Sequence, residues 1–384
     1  MKKTDLLVIG GSAGGILSAT MARKAYGEIN ITVIRDTDAV MVPCGIPYIY
    51  GTLKCTSKNV IPDKMLVDAK IDLVVGTVVK IDKENKTVTT KENETYSYKK
   101  LVIATGSLPI IPTFIQGYEL ENVFPIYKNQ DYLNAILEKL ETVENVAVIG
   151  GGFIGVEFAE QISMTGKKVT LVEMADACLW QAFDKSFTDD IEKMMKDKGI
   201  NVLTNTKVKK IIGDKKAEAL ELDNGQKIPA ELVILGLGVR PNGLLAKEAG
   251  LDVNAKGAII VDQYTRTSDP DIFAVGDCAE KKCFFTNKDV PVLLASTAAM
   301  EAKIAGSNAF QLRLIRANKG TISAFSTQIF GKTFAAAGLT EARARQEGFT
   351  INVGEFTTMD RHPGSLPGTS TVQIKLIFSK CSGV

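Results

Sequence analysis

An α/β fold with an internal repeat is what this 384-residue sequence predicts, and three observations carry it. The apolar run Leu6-Leu7-Val8-Ile9 leads straight into Gly10-Gly11-Ser12-Ala13-Gly14-Gly15 and then into a helical pattern from Ile16 to Lys24. A second run, Val146-Ala147-Val148-Ile149, leads into Gly150-Gly151-Gly152-Phe153-Ile154-Gly155 and a helix through Met164. Gly10 and Gly15 thus recur 140 positions later as Gly150 and Gly155. A strand, a glycine turn and a helix put backbone N–H groups and a helix N-terminus against a pyrophosphate. Two such units predict two Rossmann-like domains and two dinucleotides.

The two loops differ in quality. The second matches G-x-G-x-x-G in full, and its next strand, Val169–Val172, ends in Glu173, at the spacing of an acid that accepts from a ribose 2′-OH. A carboxylate there repels a 2′-phosphate, which favours NAD(H) over NADP(H). In the first loop Ser12 replaces the middle glycine, and the following strand, Ile31–Ile34, ends in Arg35 with Asp36 one residue later. Asp36 is the candidate for the ribose in this half.

Taken in order, the elements fill in around these loops. Val42-Pro43-Cys44-Gly45-Ile46-Pro47-Tyr48-Ile49-Tyr50-Gly51 sets a cysteine between two prolines, which predicts that Cys44 opens a short helix whose N–H groups favour a thiolate. On these residues alone Cys44 reads equally as a nucleophile or as a small buried apolar residue. Thr77–Val88 and Tyr96–Ile103 read as strands around the turn Asp82–Lys86, and Gly106–Pro112 as a crossover linker. Asp189–Lys198 is an amphipathic helix, Val202–Ile212 and Ala219–Leu222 are strands, and Val233–Gly238 and Ile272–Asp277 are buried strands with glycines at their ends. Beyond residue 320 the pattern turns to strands at Thr321–Ala335 and Thr371–Phe378 and a helix at Glu341–Glu347.

Composition narrows the function. The 46 basic and 44 acidic residues nearly cancel, with no basic block, so neither nucleic acid nor an anionic membrane is implied as a partner. Six cysteines without a CxxC pair, and one histidine, argue against a disulfide framework and a metal site and for a reducing compartment. No apolar run reaches the ~18 residues of a membrane span, and the expectation is a cytoplasmic protein.

Six stretches occur in order: Gly10–Gly15, the Cys44 stretch, Ala104-Thr105-Gly106, Gly150–Gly155 with Glu173, Gly238-Val239-Arg240-Pro241-Asn242, and Val275-Gly276-Asp277. Together they resemble the flavin-dependent pyridine nucleotide-disulfide oxidoreductases from end to end. The Cys-Gly-Ile-Pro-Tyr stretch resembles the single-cysteine branch of coenzyme A disulfide reductases, NADH oxidases and NADH peroxidases. The resemblance implies a discontinuous FAD domain (residues 1–112 and 243–318), an NAD(H) domain (113–242) and a partial C-terminal α+β interface domain (319–384), shortened relative to the family and tied there to homodimerisation. It implies that Gly10, Gly11, Ser12, Ala13, Gly14 and Gly15, with Pro43, Ala104, Thr105, Gly106, Gly276 and Asp277, hold FAD. Gly150, Gly152, Phe153, Ile154, Gly155 and Glu173 would hold NADH, with Glu157 and Gly238 near the nicotinamide. Cys44 would be the redox sulfur against the flavin, and Ile49 stands where a neighbouring branch has a second cysteine.

The reaction so implied carries hydride from NADH through FAD to Cys44, reducing a small disulfide or persulfide. An NADH oxidase acting on oxygen, and an electron-transfer reductase, are the alternatives. Ala13 stands where peroxidases and water-forming oxidases carry a histidine, which favours the disulfide or persulfide. Arg23 and Lys24 fall where coenzyme A disulfide reductases have a basic pair, and read either as substrate phosphate ligands or as a solvated helix cap. His362 reads either as an acid acting on a partner subunit's thiol or as an exposed loop residue.

Overall fold

The computed structural model describes residues 1–381 and 383. The first apolar run forms β1 (Leu6–Ile9), buried on both faces, as a strand covered by helices must be. After it come α1 (Ala13–Tyr26), β2 (Ile31–Arg35), β3 (Asp72–Val75) and β4 (Lys100–Ile103). The second unit repeats the plan with β5 (Val123–Pro125), α2 (Gln130–Glu141), β6 (Asn145–Ile149), α3 (Phe153–Ser163), β7 (Lys168–Val172), α4 (Lys185–Asp197), β8 (Asn201–Leu203) and β9 (Leu232–Leu235). The chain then returns to the first sheet with β10 (Ile272–Ala274) and packs α5 (Ala295–Asn308) against α1.

Both sheets are parallel, in the orders β10-β4-β1-β2-β3 and β5-β9-β6-β7-β8. Each glycine-loop strand is central in its sheet, so each loop opens at the carboxyl edge where parallel α/β sheets bind ligands. The repeat extends to three antiparallel strands in each unit, over 78–97 and 208–229, with Lys2–Lys3 added as a parallel fourth strand in the first.

Several expected elements divide differently. The strand expected over Tyr96–Ile103 is two: Thr95–Ser97 belongs to the antiparallel sheet, and β4 begins at Lys100 in the parallel one. Val202–Ile212 likewise splits into β8 and Val208–Ile212, with Asn205 at φ +51 marking the turn between them. The linker is structured: Ser107–Pro109 pairs antiparallel with Val239–Pro241, a two-stranded neck between the units. α4 starts four residues early, behind Asp184.

The C-terminal unit is two hairpins, β11 (Phe325–Ile329) with β12 (Lys332–Ala336) and β13 (Ile351–Met359) with β14 (Thr371–Ser379), joined through α6 (Glu341–Gln346). Ile329 and Phe334 enter the core of the second unit. Lys375 on β14 lies within 2.8–3.3 Å of Glu341, Glu355 and Asp184, which fastens the last hairpin to the start of α4. Among the described residues no helix is long and apolar enough to cross a membrane.

Candidate active site

The carboxyl edges of the two sheets face one cleft of about 2330 Å³. Gly10, Gly11, Ser12, Ala13 and Gly14 line it on one side, and Gly150, Gly152, Phe153 and Ile154 on the other. The glycines are required by close approach. A Cβ on Gly10, where φ is +108, would lie 2.1 Å from Ala104 O, and one on Gly150, at φ +107, 2.6 Å from Gly236 O. Gly15 and Gly155 sit just behind, where a Cβ would fall 1.9 and 1.8 Å from the carbonyl oxygens of Gly10 and Gly150. Two turns whose Gly10, Gly15, Gly150 and Gly155 admit no Cβ, each at the N-terminus of a long helix, fit two pyrophosphates.

The ends of the second strands diverge as the sequence does. Glu173 follows β7, is 9% exposed, and accepts from Gly151 N at 2.5 Å and Ala175 N at 2.7 Å, so its carboxylate is held on the cleft wall. Arg35 at the matching end of β2 is 4% exposed and forms a two-pronged ion pair with Asp63, at 2.5 and 2.8 Å, while donating to the carbonyls of Thr37 and Asp38. Its side chain packs over Gly11, leaving Asp36 as the exposed carboxylate on the cleft rim.

Ala104, Thr105, Gly106, Gly276 and Asp277 complete the first side of the cleft. Asp277 accepts from Ser107 Oγ at 2.7 Å, and Lys128 Nζ lies 3.0 Å from that hydroxyl and 3.4 Å from the carboxylate. Sequence reasoning missed Lys128, which has no motif around it; Ser107 could have been found as the residue following Ala104-Thr105-Gly106. Gly238 and Glu157 line the other side. Burial raises the Glu157 carboxyl above its ordinary range, and the hydrogen bond from Thr327 Oγ1 at 2.7 Å partly offsets this.

Pro43 and Cys44 line the wall between the two halves. The expected helix is instead two successive 3₁₀ turns, Pro43–Gly45 and Pro47–Ile49, because each proline opens a turn too short to extend. Cys44 is exposed on the first turn. Asn59 holds that turn from behind: its O accepts from Val42 N at 2.8 Å, its Nδ2 donates to Val42 O at 3.0 Å, and its Oδ1 fills the space where a Gly45 Cβ would be. The turn then docks on the second unit. Ile49 and Tyr50 are buried in that unit's core, Tyr50 OH donates to Leu133 O at 3.2 Å, and Gln161 Oε1 on α3 accepts from Thr52 N and Oγ1. Cys283 also lines the cleft but is 3% exposed.

Three expected contributors lie elsewhere. Arg23 donates to the carbonyls of Gly27, Ile29, Ala69 and Lys70, so its guanidinium is committed to closing the end of α1, and Lys24 is exposed outside the cleft. Four of the five N–H donors of Arg23 are so occupied, and neither residue lines the cleft. His362 is exposed in the turn between β13 and β14, away from the cleft of its own chain. Among the described residues no cluster of side chains suits a metal ion.

Residues 4–304 match the family model described as pyridine nucleotide-disulphide oxidoreductase. The chain is 32% identical to an NADH oxidase of Enterococcus faecalis, over 98% of this chain and 85% of that one. It is 33% identical to an NAD(P)H coenzyme A polysulfide/persulfide reductase of Pyrococcus horikoshii, over 97% and 84%. Among solved structures, an NAD-dependent persulfide reductase from A. fulgidus superposes with a TM-score of 0.89 at 32% identity, covering 98% of this chain and 71% of that one. With two glycine cradles on one cleft and this similarity over nearly its whole length, the chain belongs to the pyridine nucleotide-disulphide oxidoreductases, enzymes that work with FAD and NAD(H).

Proposed function

We propose that this enzyme uses NADH to reduce a low-molecular-weight disulfide or persulfide at Cys44. The observation that carries the reading is the exposed Cys44 thiol on the wall between the two glycine cradles, with the buried Cys283 as the only other thiol among the described residues of that cleft. The first cradle, with Asp277 and Asp36, would hold FAD. The second, with Glu173, would hold NADH, its nicotinamide end bounded by Glu157 and Gly238. Bound there, the pair would supply two electrons to sulfur.

The chain's own part is at Cys44. Its thiolate attacks one sulfur of the acceptor, the S–S bond breaks, and the departing sulfur leaves as a thiolate while Cys44 enters a mixed disulfide. Two electrons and a proton then return Cys44 to the thiolate and release the second half as a thiol. Position 49 is Ile49, wholly buried, so no neighbouring cysteine closes an internal disulfide. Ala13, on the cleft wall, offers no proton or polarising donor to a sulfenic acid, and the one histidine is outside the cleft.

An oxidase that reduces oxygen is the second reading, favoured by the similarity to the Enterococcus NADH oxidase. Anaerobic NADH consumption with coenzyme A disulfide, polysulfide and cystine offered separately, followed by oxygen alone, decides between them. The expected result is turnover with one sulfur compound that is lost in Cys44→Ser, and slow oxygen turnover that releases hydrogen peroxide. Fast oxidation to water, unmatched by any sulfur acceptor, would overturn the proposal.

A further inference from the structure

Behind the turn that carries Asp277 lie two ionisable side chains that nothing above employs. Lys281 is 5% and Glu301 1% exposed, with Lys281 Nζ 3.1 Å from Glu301 Oε1. Glu301 reaches the turn from α5, and its Oε2 accepts from Gly276 N at 2.8 Å. Lys281 Nζ donates to Gly276 O at 2.6 Å and Ala279 O at 2.8 Å. With two of the ammonium protons directed at those carbonyls, Lys281 Nζ is, among the described residues, the one polar partner close to Glu301 Oε1.

A buried ion pair is a weak source of stability, since desolvating two charges costs about what their attraction returns. What these two do is local. Gly276 has φ +74, a conformation L side chains rarely adopt. The peptide plane before it is held by Glu301 and the plane after it by Lys281. Both planes pack beside the first glycine cradle, for a Cβ on Gly14 would stand 3.3 Å from Val275 Cγ2 and 3.8 Å from Gly276 N. The next residue is Asp277, whose carboxylate faces the cleft beside Ser107.

We infer that Glu301 is a positioning residue for the flavin, holding Gly276 N so that Asp277 is presented to the cofactor in one orientation, with Lys281 as its counter-charge. The inference rests on the placement of FAD at the first cradle and Asp277. It predicts that the hydrogen bond to Gly276 N, rather than the pair of charges, governs how FAD is held.

The test compares two charge-neutral double variants of the holoenzyme. Lys281→Met with Glu301→Gln keeps an amide oxygen for Gly276 N–H, and Lys281→Met with Glu301→Leu removes it. The FAD dissociation constant is read from the fluorescence of released flavin, together with the flavin absorption spectrum and midpoint potential. The glutamine variant is expected within about threefold of the parent. The leucine variant is expected to bind FAD about tenfold more weakly or worse, with a shifted spectrum and potential and unchanged NADH affinity. Should the leucine variant fail to fold, Glu301→Asn in the same background repeats the comparison with an amide one methylene too short to reach. Equal FAD affinity in the two arms, whether both keep it or both lose it, overturns the inference. Asp277→Ala serves as the control: if it leaves FAD affinity unchanged, the placement of FAD fails, and if it weakens FAD while the two arms agree, only the grip on Gly276 fails.

Discussion

Glu173 should set the coenzyme preference, and the size of its effect follows from how it is held. Two backbone N–H groups, from Gly151 and Ala175, fix the carboxylate on the cleft wall at 2.5 and 2.7 Å, so it cannot turn aside from an incoming phosphate. Unit charges about 4 Å apart near a protein surface interact by about 4 kcal/mol, and salt reduces this further. A working penalty of about 1.4–2.8 kcal/mol against a 2′-phosphate gives NADH an advantage over NADPH of roughly ten- to a hundredfold in kcat/KM. Glu173→Gln removes the charge and can satisfy only one of the two N–H groups, at a cost of about 1 kcal/mol. NADH efficiency should therefore fall about fivefold, while NADPH efficiency holds or rises, lowering the ratio by about fivefold or more. Steady-state kinetics with both coenzymes and a saturating acceptor measures it. A parent ratio below about threefold, or a ratio that Glu173→Gln leaves in place, refutes the placement of Glu173 at the ribose.

Gly45→Ala should drive a methyl to within 1.9 Å of Asn59 Oδ1 and displace the Cys44 turn. Turnover should drop about tenfold and stability by about 1–3 kcal/mol, with Asn59→Ala in the same protein restoring part of both; a Gly45→Ala enzyme of parental rate would refute the contact. Glu157 carries a carboxyl raised by burial above its ordinary 4.5, so the folded protein binds its proton more tightly than the unfolded chain does. Its contribution to stability is thus greatest below about pH 4.5 and is lost as pH rises through the raised value. Glu157→Gln should accordingly raise the unfolding midpoint more at about pH 8 than at about pH 4, and equal shifts at both would count against it. Tyr50→Phe removes the hydroxyl's hydrogen bond to Leu133 O, a carbonyl within α2, and should cost about 1 kcal/mol in denaturant unfolding, with no change in coenzyme preference.

What could be read from the sequence was what depends on spacing. The glycine loops, Glu173 and the Val275-Gly276-Asp277 turn follow from local geometry that only certain residues allow, and each lies on the cleft. What could not be read depends on contacts distant in the chain. Arg35 finds Asp63 and Glu301 finds Lys281 with no periodic signal to announce either pair. α5 gave no amphipathic stripe because it is rich in alanine and buried over most of its surface, and so the helix carrying Glu301 went unseen. The division of Val202–Ile212 between two sheets turns on Asn205 at φ +51, within a run whose composition is that of a single strand.

The docking of the Cys44 turn bears on how this protein could be taken apart. Met41, Ile46, Ile49 and Tyr50 belong by chain order to the first unit, yet they are packed among Leu133, Phe158 and Ile162 of the second. The Cys44 segment is in effect lodged in its neighbour. Neither half is therefore a self-contained module: excising residues 113–242 would strip the cover from the turn, and expressing them alone would leave a hollow where it sat. Loss of either half should be felt as one cooperative unfolding event, and a lineage exchanging the second half for another would have had to carry this plug, or its match, along with it.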